Sequence, residues 1–458
     1  FGEWAEYVPE GSYAEVVDAL EAIFRKPRRA VTKEELQDAR QTFSWESIVH
    51  GFWQKALPTE LTITPRKKVM LWVGDAVAST GFSRCTHKIA ERLHPEYDLH
   101  VLGVNYNGDP HSYPYKIYPA IFGGDFLGAN RLPGLIKDLQ PDILVLQTDP
   151  WHVPTYIGSL KQHEVPLPPL SAGIIAVDGK NCRGDFLNDL DLCVFWTNFG
   201  EKEARLGGYN HTSCVIPLGV DLTIYKPHDR VKAREALGLP DYLRKAFIVG
   251  NVNRNQPRKR LDLTVMYFAK WVKLHNIQDA YLYVHTAPTA DPGWNIPQLM
   301  WYYGFHSDNQ RFIAMDIPMV KGISEENLAL VYSTFDVQVN TGQGEGFGLT
   351  TLEGMACGIP QIFGDWAALG EWAKSAGVAV PCTTFAATPS GVNAIGGLPD
   401  EKPFIEQLDK LYNSSSARED LGRKGLDLAH NALYRWETIS TIYMNAFEQK
   451  LRQMGLAA

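Results

Sequence analysis

The chain has 458 residues, with 52 acidic against 44 basic side chains and a net charge of −8. That balance suits a globular protein of two domains and argues against a broad duplex-binding face. No apolar run approaches the length a bilayer crossing needs, and the start lacks the basic and apolar regions of a signal peptide, so the reading is cytoplasmic, with peripheral association at a membrane left open.

Six cysteines (Cys85, Cys182, Cys193, Cys214, Cys357, Cys382) stand without C-x-x-C spacing and read as small buried residues, not as a metal site or disulfide frame. Residues 1–60 read as a helical extension. They open on Gly2-Glu3-Trp4-Ala5, continue through an amphipathic helix and reach Trp45-Glu46-Ser47-Ile48. The same order recurs at Gly370-Glu371-Trp372-Ala373 and Trp436-Glu437-Thr438-Ile439, the mark of a partial internal copy.

Thr59 to Lys68 reads as a linker. Val69 to Gly74 is a short apolar run of the buried-strand kind, and Ser79-Thr80-Gly81 turns it into a helix through Leu93. Further strands are expected at 99–103, 143–147, 173–177, 192–197 and 214–217, with helices between several of them. Strands alternating with helices imply a parallel sheet whose carboxyl-terminal strand ends line a crevice. Asp149 and His152 follow one of these strands and Asp178 ends another, which makes all three candidates for cleft or acceptor contacts. Capping carboxylates and hydrogen-bonded surface histidines are the alternative reading.

A second lobe opens with the strand Phe247 to Val252, followed at once by Asn253-Arg254-Asn255-Gln256-Pro257-Arg258-Lys259-Arg260. An arginine and a lysine five residues apart at a strand-to-helix turn suit a diphosphate, since the guanidinium binds two oxygens and the ammonium adds a mobile charge. A solvated basic turn is the plainer alternative. Strands at 281–286, 312–317, 337–340 and 361–363 follow, with an insertion rich in Pro, Trp and Tyr at 287–309 and a glycine-rich stretch at 389–399. No His and carboxylate cluster stands out, so no metal is expected.

The chain is organised around Gly344 to Pro360, GEGFGLTTLEGMACGIP. Its glycines permit a tight turn from strand to helix, which leaves the first N–H groups of the helix free to meet an anion. A helix starting near Leu349 places Glu353 one turn in, close enough to the same cleft to accept two hydrogen bonds from a vicinal diol such as a ribose.

This segment, with Glu345 and Glu353 eight positions apart, resembles the E-x7-E signature of retaining glycosyltransferases of the GT-B fold, family 4 in particular. The resemblance covers about residues 69–458. It implies an α/β architecture of two Rossmann-like, doubly wound parallel-sheet domains facing across a cleft, at 66–222 and 241–405, with a hinge near 218–240. Helices at 406–458 cross back to the first lobe, and residues 1–60 copy the end of a second lobe. That copy is a remnant of an upstream tandem domain, a chain boundary inside one, or an added helical segment.

By the same resemblance, Arg254 and Lys259 clamp the diphosphate and Glu345 orients the sugar. Glu353, Gly346, Phe347, Gly348, Leu349, Thr350 and Gly81 meet the donor, and Ile317 contacts its base. Arg260 stands where the family commonly has glycine, and Thr350 where relatives often have proline. The implied reaction moves a sugar from a UDP- or GDP-sugar, with retained configuration and without metal or other cofactor, to a saccharide, lipid or small-molecule hydroxyl. A hydroxymethylated base in viral DNA is a less favoured acceptor, and a non-catalytic scaffold in a tandem protein is the reading from another class.

Overall fold

The structure is a computed structural model that describes residues 32–42, 44, 66–78, 80–286, 293–306, 311–313, 322–389 and 393–456. It divides into two compact units, Phe1–Arg66 and Lys67–Ala458. In the first, the described element is the helix Lys33–Thr42. The repeated order expected at residues 1–60 falls almost wholly outside the described residues, as does Ile317.

The second unit holds two parallel sheets. The first has seven strands: β1 (Val69–Asp75), β2 (Asp98–Val104), β3 (Lys116–Pro119), β4 (Ile143–Thr148), β5 (Leu170–Ile175), β6 (Leu192–Phe195) and β7 (Thr212–Val215), in the order β3-β2-β1-β4-β5-β6-β7. The other has six: β8 (Phe247–Val252), β9 (Ala280–His285), β10 (Phe312–Ile313), β11 (Val337–Asn340), β12 (Gln361–Gly364) and β13 (Val378–Val380), in the order β10-β9-β8-β11-β12-β13. Every residue of β4, β5 and β8 is buried, as expected where helices cover both faces of a parallel sheet and force near-continuous apolar runs.

Chain order reverses between β1 and β4 in one sheet and between β8 and β11 in the other. The space beyond the carboxyl ends of such strands is where doubly wound folds hold their ligands. Here the loops after β1, β4, β8 and β11 carry Gly81, Asp149, Arg254 to Arg260 and Glu345.

Four strands escape the sequence reading. The strand β3 and β13 are short, and the glycine-rich stretch contributes to an antiparallel hairpin of β14 (Thr384–Ala387) and β15 (Ile395–Leu398). Gly396 fits this hairpin because a Cβ there would lie 1.8 Å from the Gln343 carbonyl oxygen.

One apolar core spans both lobes, beside a further one in each. A single apolar cluster joins Met70, Trp72 and Ile89 of the first lobe, Ile248, Tyr283 and Leu352 of the second, and Trp436, Tyr443 and Phe447 of the last helix. That helix, Trp436–Gln453, lies on the first lobe. Lys68 Nζ donates to Glu448 at 3.3 Å, Tyr97 Oη to the same carboxylate at 3.0 Å, and Val220 N to the Tyr434 carbonyl at 2.9 Å. Beyond the hinge, the buried Arg234 donates to the carbonyls of Leu243, Ala246 and Thr334 and to Asp336, fixing residues 234–246 to the second lobe.

Candidate active site in the interlobe cleft

The loop after β8 and the loop after β11 are zipped together. Gln343 N donates to the Arg258 carbonyl at 2.9 Å and Thr341 Oγ1 to the Arg260 carbonyl at 2.9 Å. The cations of one loop are thereby brought to the carboxylate of the other. Lys259 Nζ donates to Glu345 Oε1 at 2.6 Å, Asn340 Nδ2 to the same oxygen at 3.2 Å, and Arg258 Nη1 lies 3.7 Å from Glu345 Oε2. Arg258 Nε also pairs with Asp178 Oδ2 at 3.2 Å, so the first lobe's Asp178 joins the cluster.

Burial alone would raise the pKa of Glu345, but Lys259 and Arg258 outweigh it and hold the carboxyl below its ordinary range. Burial and the neighbouring Arg258 pull the Lys259 ammonium down, against Glu345. At 2.6 Å the contact has the short length of a charge-assisted hydrogen bond.

The motif's glycines stand where the lobes approach. A Cβ on Gly344 would lie 1.8 Å from the Asp178 carbonyl oxygen, and one on Gly346 would sit 3.2 Å from Ala176 Cβ. Gly348 has φ +94 and precedes the helix Leu349–Ala356, the left-handed conformation that glycine adopts at little cost. Phe347 is buried, with its ring stacked on Trp372 at 5.0 Å and its carbonyl taken by Trp372 Nε1 at 2.8 Å.

A cavity of about 840 Å³ opens between the lobes, lined by Thr80, Gly81 and Arg84 from one side and by Arg254, Leu349, Thr350 and Glu353 from the other. Arg254 is exposed there. Gly81 faces Leu349 directly, since a Cβ on it would lie 3.6 Å from Leu349 Cδ1.

The sequence pair Arg254 and Lys259 is therefore divided in space. Arg254 lines the open cavity, and Lys259 is buried against Glu345. Glu353 is 1% exposed and both its oxygens are engaged: Arg84 Nη1 donates to Oε1, and Tyr332 Oη donates to Oε2 at 2.7 Å. Burial raises its pKa, and Arg84 and the Tyr332 hydroxyl offset part of that rise.

Asp149 and His152 do not line this cavity. The Asp149 carboxyl is pushed up to about 7, first by burial and then by the charge of Asp178, with Arg258 pulling the other way. His152 Nε2 accepts from Trp151 Nε1 at 3.2 Å, and burial lowers its pKa. Among the described residues, no group of three or more His, Cys, Asp or Glu side chains is arranged to hold a metal ion.

Sequence reasoning missed Arg84 and Tyr332. Arg84 stands one turn into the helix Gly81–Leu93, on the face that Gly81 begins, and that spacing was the available signal.

Against solved structures, the chain aligns with sucrose-phosphate synthase from Thermosynechococcus elongatus at TM-score 0.64 and 18% identity, over 85% of this chain and all of that one. It aligns with the Anabaena protein HepE, solved with UDP and glucose, at TM-score 0.61 and 13% identity, over 83% of this chain and all of that one. The chain has the two-domain fold of the GT-B glycosyltransferases.

Among curated proteins, it resembles the D-inositol 3-phosphate glycosyltransferases of two bacteria. To that of Stackebrandtia nassauensis it is 27% identical over 252 residues, 53% of this chain and 50% of the relative. To that of Kribbella flavida it is 24% identical over 333 residues, 69% of this chain and 70% of the relative. The chain thus spans half the length of the first relative. No family model matches the chain. Among the described residues, no helix of this GT-B chain is long and apolar enough to cross a membrane.

Proposed function

We propose that this chain is a retaining, metal-independent glycosyltransferase that takes its sugar from a UDP- or GDP-sugar and delivers it to a hydroxyl of a saccharide, lipid or small molecule. The observation that carries the reading is the gathering of Arg258 and Lys259 with Glu345 at the mouth of β8 and β11, next to the start of the helix Leu349–Ala356, with Arg254 lining the cavity between the lobes. Loss of a nucleoside diphosphate builds negative charge on the leaving phosphate while the sugar becomes oxocarbenium-like. Fixed cations and helix N–H groups answer the first, and a buried carboxylate kept ionised answers the second, by electrostatic preorganisation.

In this reading Arg254, open to the cavity, meets the diphosphate first. Lys259 donates to Glu345 and keeps its remaining proton for a phosphate oxygen. Glu345 faces the sugar, and Glu353 takes the ribose. The acceptor hydroxyl attacks the anomeric carbon from the face the phosphate leaves, and the departing phosphate takes its proton, so the configuration is kept. That a protein of this fold was solved with UDP-glucose supports a nucleotide-sugar donor, and the inositol phosphate names of the curated relatives make a small polyol phosphate one acceptor to try.

The test is a thermal-shift screen against UDP- and GDP-sugars, followed by release of the nucleoside diphosphate with and without a chelator. Saturation at a hundred times Kd adds about 2.7 kcal/mol of stability. Lys259→Ala is expected to lower kcat by about a hundredfold or more. A chain inert to every donor would point to a scaffold, and activity abolished by EDTA would overturn metal independence.

A further inference from the structure

Arg84 is a first-lobe side chain that reaches a buried carboxylate of the second lobe. Its Nη1 donates to Glu353 Oε1, its Nε lies 3.7 Å from Glu325 Oε2, and its guanidinium sits 5.9 Å over the Tyr225 ring. It lines the same cavity as Gly81, Arg254 and Glu353. On the reading above, the guanidinium stands where ribose hydroxyls would have to bind, because Tyr332 already holds the other oxygen of Glu353.

We propose that Arg84 exchanges partners when the donor binds: it yields Glu353 Oε1 to the ribose hydroxyls and turns its guanidinium onto the adjoining diphosphate, so that the first lobe adds a cation to the leaving group. This rests on the donor-site assignment made under the proposed function. The chemistry fits each end of the exchange. A carboxylate 1% exposed needs a cation while no nucleotide is present. A planar guanidinium with side-chain exposure of 20% borders the open cavity, and it matches phosphate oxygens as well as carboxylate ones. Glu325 stays within reach during the swing, so the charge is never far from a carboxylate.

The exchange makes a prediction that a fixed structural ion pair does not: a nucleoside and its diphosphate respond in opposite senses to loss of the arginine. Uridine and UDP, or guanosine and GDP if the wild type prefers them, are titrated calorimetrically into the wild type and into Arg84→Met and Arg84→Lys. In Arg84→Met the nucleoside is expected to bind at least as tightly as before and the diphosphate about 10- to 100-fold more weakly, with Arg84→Lys between. Equal weakening of both ligands, or no change in either, would overturn the exchange.

Because Arg84→Met leaves Glu353 without its cation, the same comparison is run in the background of Glu353→Gln. There the double variant Arg84→Met/Glu353→Gln must still lose diphosphate affinity relative to Glu353→Gln alone. A wild type that binds UDP with an unaltered ratio in the variants sinks only the exchange. A wild type that binds no nucleoside diphosphate takes the donor-site assignment down with it.

Discussion

At Glu345 two large effects oppose each other. Burial disfavours the carboxylate, while Lys259 at 2.6 Å and Arg258 at 3.7 Å favour it. Removing one partner of such a buried pair strands the other, at a cost of roughly 3–5 kcal/mol. Lys259→Met should therefore lower the urea midpoint markedly, and Lys259→Met/Glu345→Gln should recover most of the loss. Equal midpoints for the single and double variants would mean that the pair is screened by water.

Asp149 gives a test of opposite sign. Its pKa rises to about 7, through burial and the charge of Asp178. A carboxyl whose folded-state value lies above its unfolded one stabilises the fold at acidic pH, and that contribution fades as pH rises through the folded value. Asp149→Asn has no proton to lose. Its melting temperature relative to the wild type should rise by about 1–3 °C between about pH 5 and about pH 8, as differential scanning fluorimetry would show; a constant gap would refute the shift.

The start of the helix Leu261–Leu274 shows what one side chain imposes on an element. Arg260 adopts φ 47 and ψ 46, left-handed for a residue with a Cβ, at a cost of roughly 1–2 kcal/mol. Its guanidinium holds Asp262 at 3.0 and 2.7 Å, a local bridge worth under about 1 kcal/mol. Arg260→Gly should thus stay within about 1 kcal/mol of the wild type, and Arg260→Ala should fall below Arg260→Gly by about the same amount, measured by denaturant unfolding.

The departure from glycine at Arg260 was visible in the sequence, but that the backbone turns left-handed there was not, because an arginine gives no local signal for a positive φ. The helix after Gly348 was legible, because glycine spacing and the run Leu349 to Ala356 are local signals. What Arg84 touches was not, since its partners lie 241 and 269 residues away and depend on how two lobes meet. The hairpin β14–β15 hid behind Gly396 and Gly397, glycines that a loop uses as readily as a crowded strand.

For the molecule from Lys67 onward, the common core argues for a single cooperative unit. Leu352 and Ile248 of the second lobe and Trp72 of the first belong to one apolar cluster, so neither lobe can unfold without baring part of the other's interior. Calorimetry of the fragment 67–458 should give one endotherm, its calorimetric and van't Hoff enthalpies agreeing. Two resolved transitions would show that each lobe stands alone.

The last helix binds residues nearly the whole chain apart, Lys68 with Glu448 across 380 positions. On the ribosome, the lobe synthesised earlier must wait for the helix Trp436–Gln453 before its outer wall is in place. Until then part of the apolar cluster that holds Cys85, Ile89, Tyr443 and Phe447 stays open to solvent, so the lobe begun earlier is completed only after the later one.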